Sequence, residues 1–496
     1  MAADTAPGGT RGAQGPVPDT IIVGGGFAGS LLALKLAQAG IHPILIEAAR
    51  QAGPGLAYRA AAPEHLLNVP VQRMEVGLSP SFHDWLGGFP NETVAAIVDA
   101  GNLADAFVPR VLFGRYLAGR VEAALAAGRL TRLRGEVTRI HKRSVGQYEL
   151  TLADGRLVAA ARIVLATGNL PPKAPDIGGE GDQTLTDSPL FVPDPWSAEC
   201  LADLRPDAPV LLIGTGLTMA DIAFSLHSDG HRGPIFVLSR RGLLPLAHAG
   251  GGAWPVFLKA GESEALSPLV LLRRIRKEAR AAIMQGVPWQ RVMDVVRPLG
   301  AQIWAGWSRA QRMQFLRHLR PFWDVHRHRL PPRVARALQG LIDSGQLMPL
   351  RGRLKRFAHR DDCVDIAYAV RHRPEIRNIK VERVINCTGP RTDFAGQGTS
   401  LYADLRAQGL IHADRLALGL ETSDVRVIDA HGQISDSLFA VGGLTRPAWW
   451  EITAVPEIAV QISRLAHALS QDAGTFDSSH RAPSLAHDFS DIGAGI

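Results

Sequence analysis

Two copies of an apolar strand that runs into a glycine turn and a helix, and a helix-patterned stretch lodged between two strand hairpins, predict an α/β chain. The expected architecture is two Rossmann-like dinucleotide-binding domains with a helical insertion. The first copy reads TIIVGGGFAGSLLALKLAQAG at residues 20–40, and the second reads VLLIGTGLTMADIAFSL at residues 210–226. On this reading residues 19–205 and 390–475 form the first domain, 206–254 and 346–389 the second, and 255–345 the insertion. A lead of residues 1–18 and a tail of residues 476–496 flank them.

Composition supports a large buried core: 496 residues, 46% hydrophobic and 20% charged, are ordinary for two or three globular domains. The net charge of +7 comes from Lys and Arg spread along the chain, with no RNA-binding or zinc-finger signature, so nucleic acid is not an expected partner. The surplus suits anionic cofactors or substrates. Cys200, Cys363 and Cys387 lie far apart and outside any C-x-x-C, which supports neither a disulfide framework nor a metal site and fits a reducing cytoplasm. The lead is rich in small residues, Gly and Pro, without the apolar core of a signal peptide, and is expected to be disordered. No apolar run approaches the roughly 20 residues that cross a bilayer, so no membrane span is expected.

In the first unit Ile21, Ile22 and Val23 form the strand and Gly24, Gly26 and Gly29 the turn. The first glycine of such a turn bends the chain, the second lets the backbone approach a pyrophosphate, and the third eases helix–strand packing. The helix N-terminus then offers free N–H groups to phosphate. The next strand, HPILIE, ends in Glu47, 18 residues after Gly29, where a carboxylate can accept hydrogen bonds from ribose hydroxyls.

The second unit keeps Gly214 and Gly216, with Thr215 between them and Leu217 and Thr218 opening the helix, but Met219 stands where the third glycine belongs. Because that glycine serves packing, the turn can still cradle phosphate. Its following strand, PIFVLSRRG, ends in Ser239, Arg240 and Arg241 instead of an acid. Arginine there suits a 2′-phosphate through charge-assisted hydrogen bonds, although a paired arginine after a strand is also a common solvated loop. Opposite terminal chemistry at the two turns points to two different dinucleotides: FAD at the acidic site and NADPH at the basic one.

Each unit is followed by a hairpin and a small-residue turn: VGQYELTLADGRLVAAARIVLATGNLPP brings Thr167 and Gly168, and CVDIAYAVRHRPEIRNIKVERVINCTGP brings Gly389. Such turns let the chain cross close to a bound cofactor. In the insertion, Arg273, Arg274, Arg276, Lys277 and Arg280 read as a solvated helix face. DVHRHRLPP, with His326 and His328 between arginines, reads either as a site for an anionic group or as a basic turn tied to Asp324; the two histidines lack a third ligand for a metal.

These features resemble the two-dinucleotide flavoproteins, and more closely the bacterial FAD/NAD(P)-binding proteins of the YdhS-like type. GGGFAG (24–29), GLAY (55–58), HLLNVP (65–70), ATGNLPP (166–172), IGTGLTM (213–219), SRRGLLP (239–245), DVHRHRLPP (324–332), INCTGP (385–390) and WEITAVPE (450–457) carry the likeness. It implies FAD and a nicotinamide reductant, with Gly55, Tyr58, Asn68 and Val69 near the flavin and Val137 on the adenine side. DSLFAVGGL resembles the third flavin motif, but Gly443 is followed by Leu444 where an aspartate is usual. Thr453 and the helix start after Trp449 are then expected to turn N–H groups towards the flavin.

The layout also resembles the class B flavin-dependent monooxygenases, including amino-acid N-hydroxylases. This resemblance implies an NADPH-consuming enzyme that uses molecular oxygen, through a flavin C4a-hydroperoxide, to hydroxylate a small polar nitrogen-containing metabolite. Asn68 and Arg73 are the expected catalytic side chains, with His65 and Gln72 in the same neighbourhood. An NAD(P)H oxidoreductase without oxygen insertion, or a flavin-binding redox sensor, are the alternatives. The cysteine spacing disfavours a thiol relay.

Overall fold

In the computed structural model, residues 19–471 are described except 60, 61, 63, 99, 100, 145, 176, 180–183, 198, 260 and 395–399. The predicted lead and tail lie outside these residues. A seven-stranded sheet runs in the order Thr422–Ser423, Arg426–Ile428, Ile434–Ala440, Arg162–Leu165, Thr20–Val23, Ile44–Glu47, Thr131–Arg134. Its five strands from Ile434–Ala440 to Thr131–Arg134 are parallel, and the first three positions complete it from the C-terminal part of the chain. A second sheet of eight strands centres on Val210–Ile213, flanked in parallel by Ile235–Ser239 and Arg383–Asn386. Parallel strands buried on both faces explain why Ile21, Ile22, Leu211 and Leu212 are each 0% exposed instead of alternating.

The first domain ends earlier than expected. Gly178–Gly179 and Phe191–Val192 pair with strands of the second sheet, so this part of 19–205 belongs to the second domain. Two-residue strands give too little periodicity to read, and their membership is decided by edge pairing. The hairpin Gln147–Leu152 and Leu157–Ala160 turns at Gly155, as read, and joins Val137–Ser144 in a separate three-stranded sheet. Its counterpart, Val364–Val370 and Ile376–Val381, extends the second sheet instead, through Leu347–His359.

Both glycine turns are built alike. Gly24 has φ +104° and Gly214 φ +109°, and a Cβ on either would lie 2.4 Å from a carbonyl oxygen, that of Ala166 or of Cys387. Those carbonyls belong to the ATG and CTG turns, whose chain is fixed by Ala166 N–H to Val23 O and Cys387 N–H to Ile213 O, both 2.8 Å. The units diverge at the third position. A Cβ on Gly29 would fall 1.9 Å from Gly24 O, whereas Met219 is accommodated, 1% exposed, in the core around Leu212 and Leu226.

The insertion is helical, as predicted, and docks on the first domain through aromatic rings. Trp304 stacks on Trp450 at 4.6 Å and donates from Nε1 to Pro447 O at 2.8 Å. A second clasp joins the domains directly. Arg110 meets Asp221 at 2.6 Å, and His65 Nε2 lies 2.8 Å from Ser225 Oγ, which donates to Glu64.

Gly24→Ala is expected to cost about 1–3 kcal/mol, the scale of a residue forced into a sparsely populated backbone region. Met219→Gly is expected to lose about 2–5 kcal/mol by leaving a cavity. Chemical denaturation of both variants measures the difference; equal tolerance at Gly24 and at Gly87, an exposed glycine without positive φ whose Cβ would meet nothing within 4 Å, would refute the crowding.

Candidate functional site

At the first turn the chain offers what a dinucleotide needs. The helix Phe27–Gln38 starts at Gly26 without a side-chain cap, leaving its N-terminal N–H groups available. Gly55 packs against it: a Cβ there would lie 2.9 Å from Gly26 Cα, so the GLAY segment walls the turn. Glu47 reaches back, accepting from Gly25 N–H at 2.6 Å and Ala49 N–H at 2.8 Å, which fixes its carboxylate at the strand end. Val137 begins the strand next to this end, since Gly135 N–H bonds Glu47 O at 3.0 Å; its side chain is buried.

The second turn substitutes hydroxyls for that carboxylate. Thr215 Oγ1 donates to Ser239 Oγ at 3.1 Å, and Ser239 accepts from Gly242 N–H at 2.9 Å. A Cβ on Gly216 would meet nothing within 4 Å, and its φ of −85° is open to any residue. The protein itself therefore does not require a glycine there, whereas an approaching phosphate does. Leu217 and Thr218 form the first turn of the helix behind it. Gly389, at φ +85°, and Gly168, at φ +75°, turn the two crossing segments in equivalent places.

The two predicted arginines divide. Arg241 donates to the carbonyls of His318 and Arg317 at 3.1 and 2.9 Å and lies over Phe322, so it ties the insertion to the second domain. Arg240 is exposed. Burial, then Arg371, Arg240 and Arg351, holds the Arg241 guanidinium below its ordinary pKa, which marks a group of four like charges. Arg351 and Arg371 come from the strand Leu347–His359 and from just beyond Val364–Val370, and only the sheet pairing brings them to SRRG.

Several residues expected at the flavin have other duties. Tyr58 packs its ring on Phe27 and Phe113, and Val69 is core. His65 is part of the interdomain clasp, and Gln72 pairs with Asp105. The Thr167 hydroxyl is bound to buried Tyr402. Thr453 is corrected: its N–H is taken by Glu451 O at 2.6 Å, because residues 451–453 form a tight turn before the helix Val455–Gln471. Leu444 is fully buried, while Gly443 faces Asn169, whose Oδ1 would lie 2.2 Å from a Cβ there. The polar group beside the third motif is thus Asn169, within the ATGNLPP motif but not singled out from the sequence.

Asn68 and Arg73 lie on one segment that the second domain pins from across the cleft. His248 Nε2 donates to Asn68 O at 3.0 Å; burial, then Arg329, pushes this imidazole down to about 4, so it is the neutral tautomer that donates. The Asn68 amide and the Arg73 guanidinium make no hydrogen bond or ion pair among the described residues. Arg73 reaches the surface, and partial desolvation, with the like charges of Arg297, Arg291 and Arg329 opposed by Asp294, lowers its pKa from the ordinary value.

DVHRHRLPP proves to bind carboxylates of the protein itself. Arg327 meets Glu451 and Glu457, each at 2.9 Å, Arg297 also meets Glu457 at 2.8 Å, and Arg329 meets Asp294 at 2.5 Å. The motif therefore closes on WEITAVPE, more than a hundred residues away in sequence. His326 is tied to Phe322 O, and no cluster of metal-ligating side chains occurs among the described residues.

Burial raises Glu457, but Arg297 and Arg327 outweigh it and bring its pKa down to about 2 from an ordinary 4.5. A depressed carboxylate contributes stability above its unfolded pKa and loses it as pH falls through the folded one. Acid titration of stability should show this loss from about pH 4.5 down to about pH 2. Glu457→Gln should be less stable at pH 7 and should lose less stability across that window than the parent, since the other depressed carboxylates, Asp294 among them, still titrate there; an equal loss in the variant would refute the assignment.

Residues 21–170 match the family model described as FAD-NAD(P)-binding. A search of curated proteins gives no match. Among solved structures, an ornithine N-hydroxylase of Kutzneria sp. 744 is 16% identical with a TM-score of 0.59, over 91% of this chain and 100% of that one. The reduced ornithine hydroxylase of Pseudomonas aeruginosa is 15% identical with a TM-score of 0.62, over 92% and 100%. An L-lysine 6-monooxygenase of Pseudomonas syringae is 17% identical with a TM-score of 0.61, over 92% and 99%. The chain shares their fold along nearly its whole length, and its first domain is an FAD-NAD(P)-binding domain.

Proposed function

We propose that the protein is an FAD-containing, NADPH-consuming monooxygenase that hydroxylates nitrogen in a small polar metabolite, an amino acid by our reading. The observation that carries this is the pair of matched glycine turns with opposite strand ends: Glu47 at one, Ser239 with Arg240, Arg351 and Arg371 at the other. A carboxylate suits free ribose hydroxyls and a guanidinium group suits a 2′-phosphate, so FAD takes the first site and NADPH the second. The ornithine and lysine hydroxylases that share the fold support the choice of an amino acid.

The flavin, when bound, supplies electron transfer and oxygen activation. The chain's share is position and dryness. Gly24, Gly26 and the helix start behind them hold the diphosphate, and Glu47 orients the ribose. The free Asn68 amide and Arg73 guanidinium bind and align a polar substrate. The tryptophan-lined insertion excludes water from above.

A disulfide reductase of Staphylococcus aureus also shares the fold, at a TM-score of 0.51 and 13% identity. Thiol chemistry is disfavoured here because all three cysteines are buried and free. Burial pushes the Cys200 thiol up to about 12 and raises Cys387 well above its ordinary value. The competing reading is an NAD(P)H oxidoreductase without oxygen insertion.

Two measurements test the proposal. Holoenzyme reduced by NADPH and then mixed with oxygen should return to the oxidised spectrum through a distinct, slowly decaying species; prompt return with release of hydrogen peroxide supports the competing reading, and no reduction by NADPH sinks both. Arg240→Ala and Arg371→Ala should each raise KM for NADPH about tenfold, the scale of one charge-assisted hydrogen bond, and leave KM for NADH nearly unchanged. Equal effects on the two cofactors would refute the 2′-phosphate site.

A further inference from the structure

The helix Pro268–Met284 has an outer face unlike the rest of the surface. Its exposed cations are Arg273, Arg276, Lys277 and Arg280, and none of the four makes an ion pair or side-chain hydrogen bond among the described residues. The helix's other charges are engaged elsewhere: Arg274 pairs with Glu262, and Glu278 accepts from Trp254 Nε1 at 3.1 Å. Its remaining exposed residues are all aliphatic or thioether: Leu269 at 46%, Val270 at 45%, Ile283 at 59% and Met284 at 87%. At 100° per residue these eight positions fall within about 140° of arc, one continuous stripe with cations in the middle and apolar side chains at both ends.

The solvated face expected from the sequence would mix signs and carry neutral polar groups. This one has no carboxylate, amide, hydroxyl or aromatic ring. Protein interfaces are anchored by aromatic side chains together with arginine, and although the stripe carries three arginines and a methionine it has no aromatic ring, hydroxyl or amide to accompany them. Long cationic stems beside apolar side chains fit a surface that is negative, non-directional and oily beneath.

We infer that this stripe is a docking surface for an anionic lipid bilayer, on which the protein lies peripherally. No described helix is long and apolar enough to cross a membrane, so the contact is with the headgroup layer. Four basic residues on an amphipathic helix reach the lower end of the clusters that recognise anionic lipid, and their attraction falls with salt. The flavin and nicotinamide sites lie elsewhere in the fold, so docking is separable from turnover.

The test is sedimentation of the FAD-loaded full chain with vesicles of phosphatidylcholine alone and of phosphatidylcholine with phosphatidylglycerol. Binding is expected only to the anionic vesicles and should weaken as salt rises. The combined variant Arg273→Gln, Arg276→Gln, Lys277→Gln, Arg280→Gln should bind them about tenfold more weakly or worse, with unchanged circular dichroism and NADPH oxidation. Ile283→Ser with Met284→Ser should weaken the binding that persists at high salt. Failure to bind anionic vesicles, equal binding to neutral ones, or undiminished binding by the glutamine variant would overturn the inference. Capture by an acidic protein or nucleic acid while vesicles are ignored would overturn it equally.

Discussion

Everything in this molecule is arranged around two places where backbone passes backbone too closely for a side chain. At Gly24 and Gly214 the outgoing turn touches the carbonyl of the segment that returns from the far end of its own domain. The contact needs positive φ and a missing Cβ at one point, and it fixes the returning strand, its small-residue turn and the start of the glycine helix relative to one another. Two domains of different sequence thereby present the same cradle. Their differences lie one step outward, in the Glu47 carboxylate and in the Ser239 hydroxyl with its neighbouring arginines.

A second constraint acts across the cleft. Arg297 and Arg327 from the insertion and Glu451 and Glu457 from the C-terminal segment are largely buried together, where each carboxylate is tolerated only because a guanidinium faces it. Removing one partner strands the other. The network holds the start of the helix Val455–Gln471 against the insertion, while Trp304 and Trp450 supply the apolar contact that seals it. The insertion and the C-terminal segment are therefore joined despite their distance along the chain.

Short-range signals were easy to read. Both glycine turns, Glu47, the Gly155 hairpin and the helical insertion follow from residues adjacent in sequence, because strand, turn and helix preferences are local. What escaped depends on partners far away. Arg241 looked like a phosphate ligand until its guanidinium met the carbonyls of Arg317 and His318. DVHRHRLPP read either as a site for an outside anion or as a basic turn, and could not be decided because its carboxylate partners stand in another motif. Arg351, Arg371 and Asn169 could have been suspected only from the order of strands. Thr453 failed for a local reason, a tight turn that consumes its N–H before the helix begins.

The clasp formed by Arg110 with Asp221, and by His65 with Ser225 and Glu64, ties the helix behind the second glycine turn directly to the first domain. Hinge rotation between the domains would have to break a partly buried ion pair and a buried hydrogen bond together. The span separating the two cradles is accordingly held by the same contacts that join the helix behind the second turn to the first domain, so any motion that shortens it carries their cost.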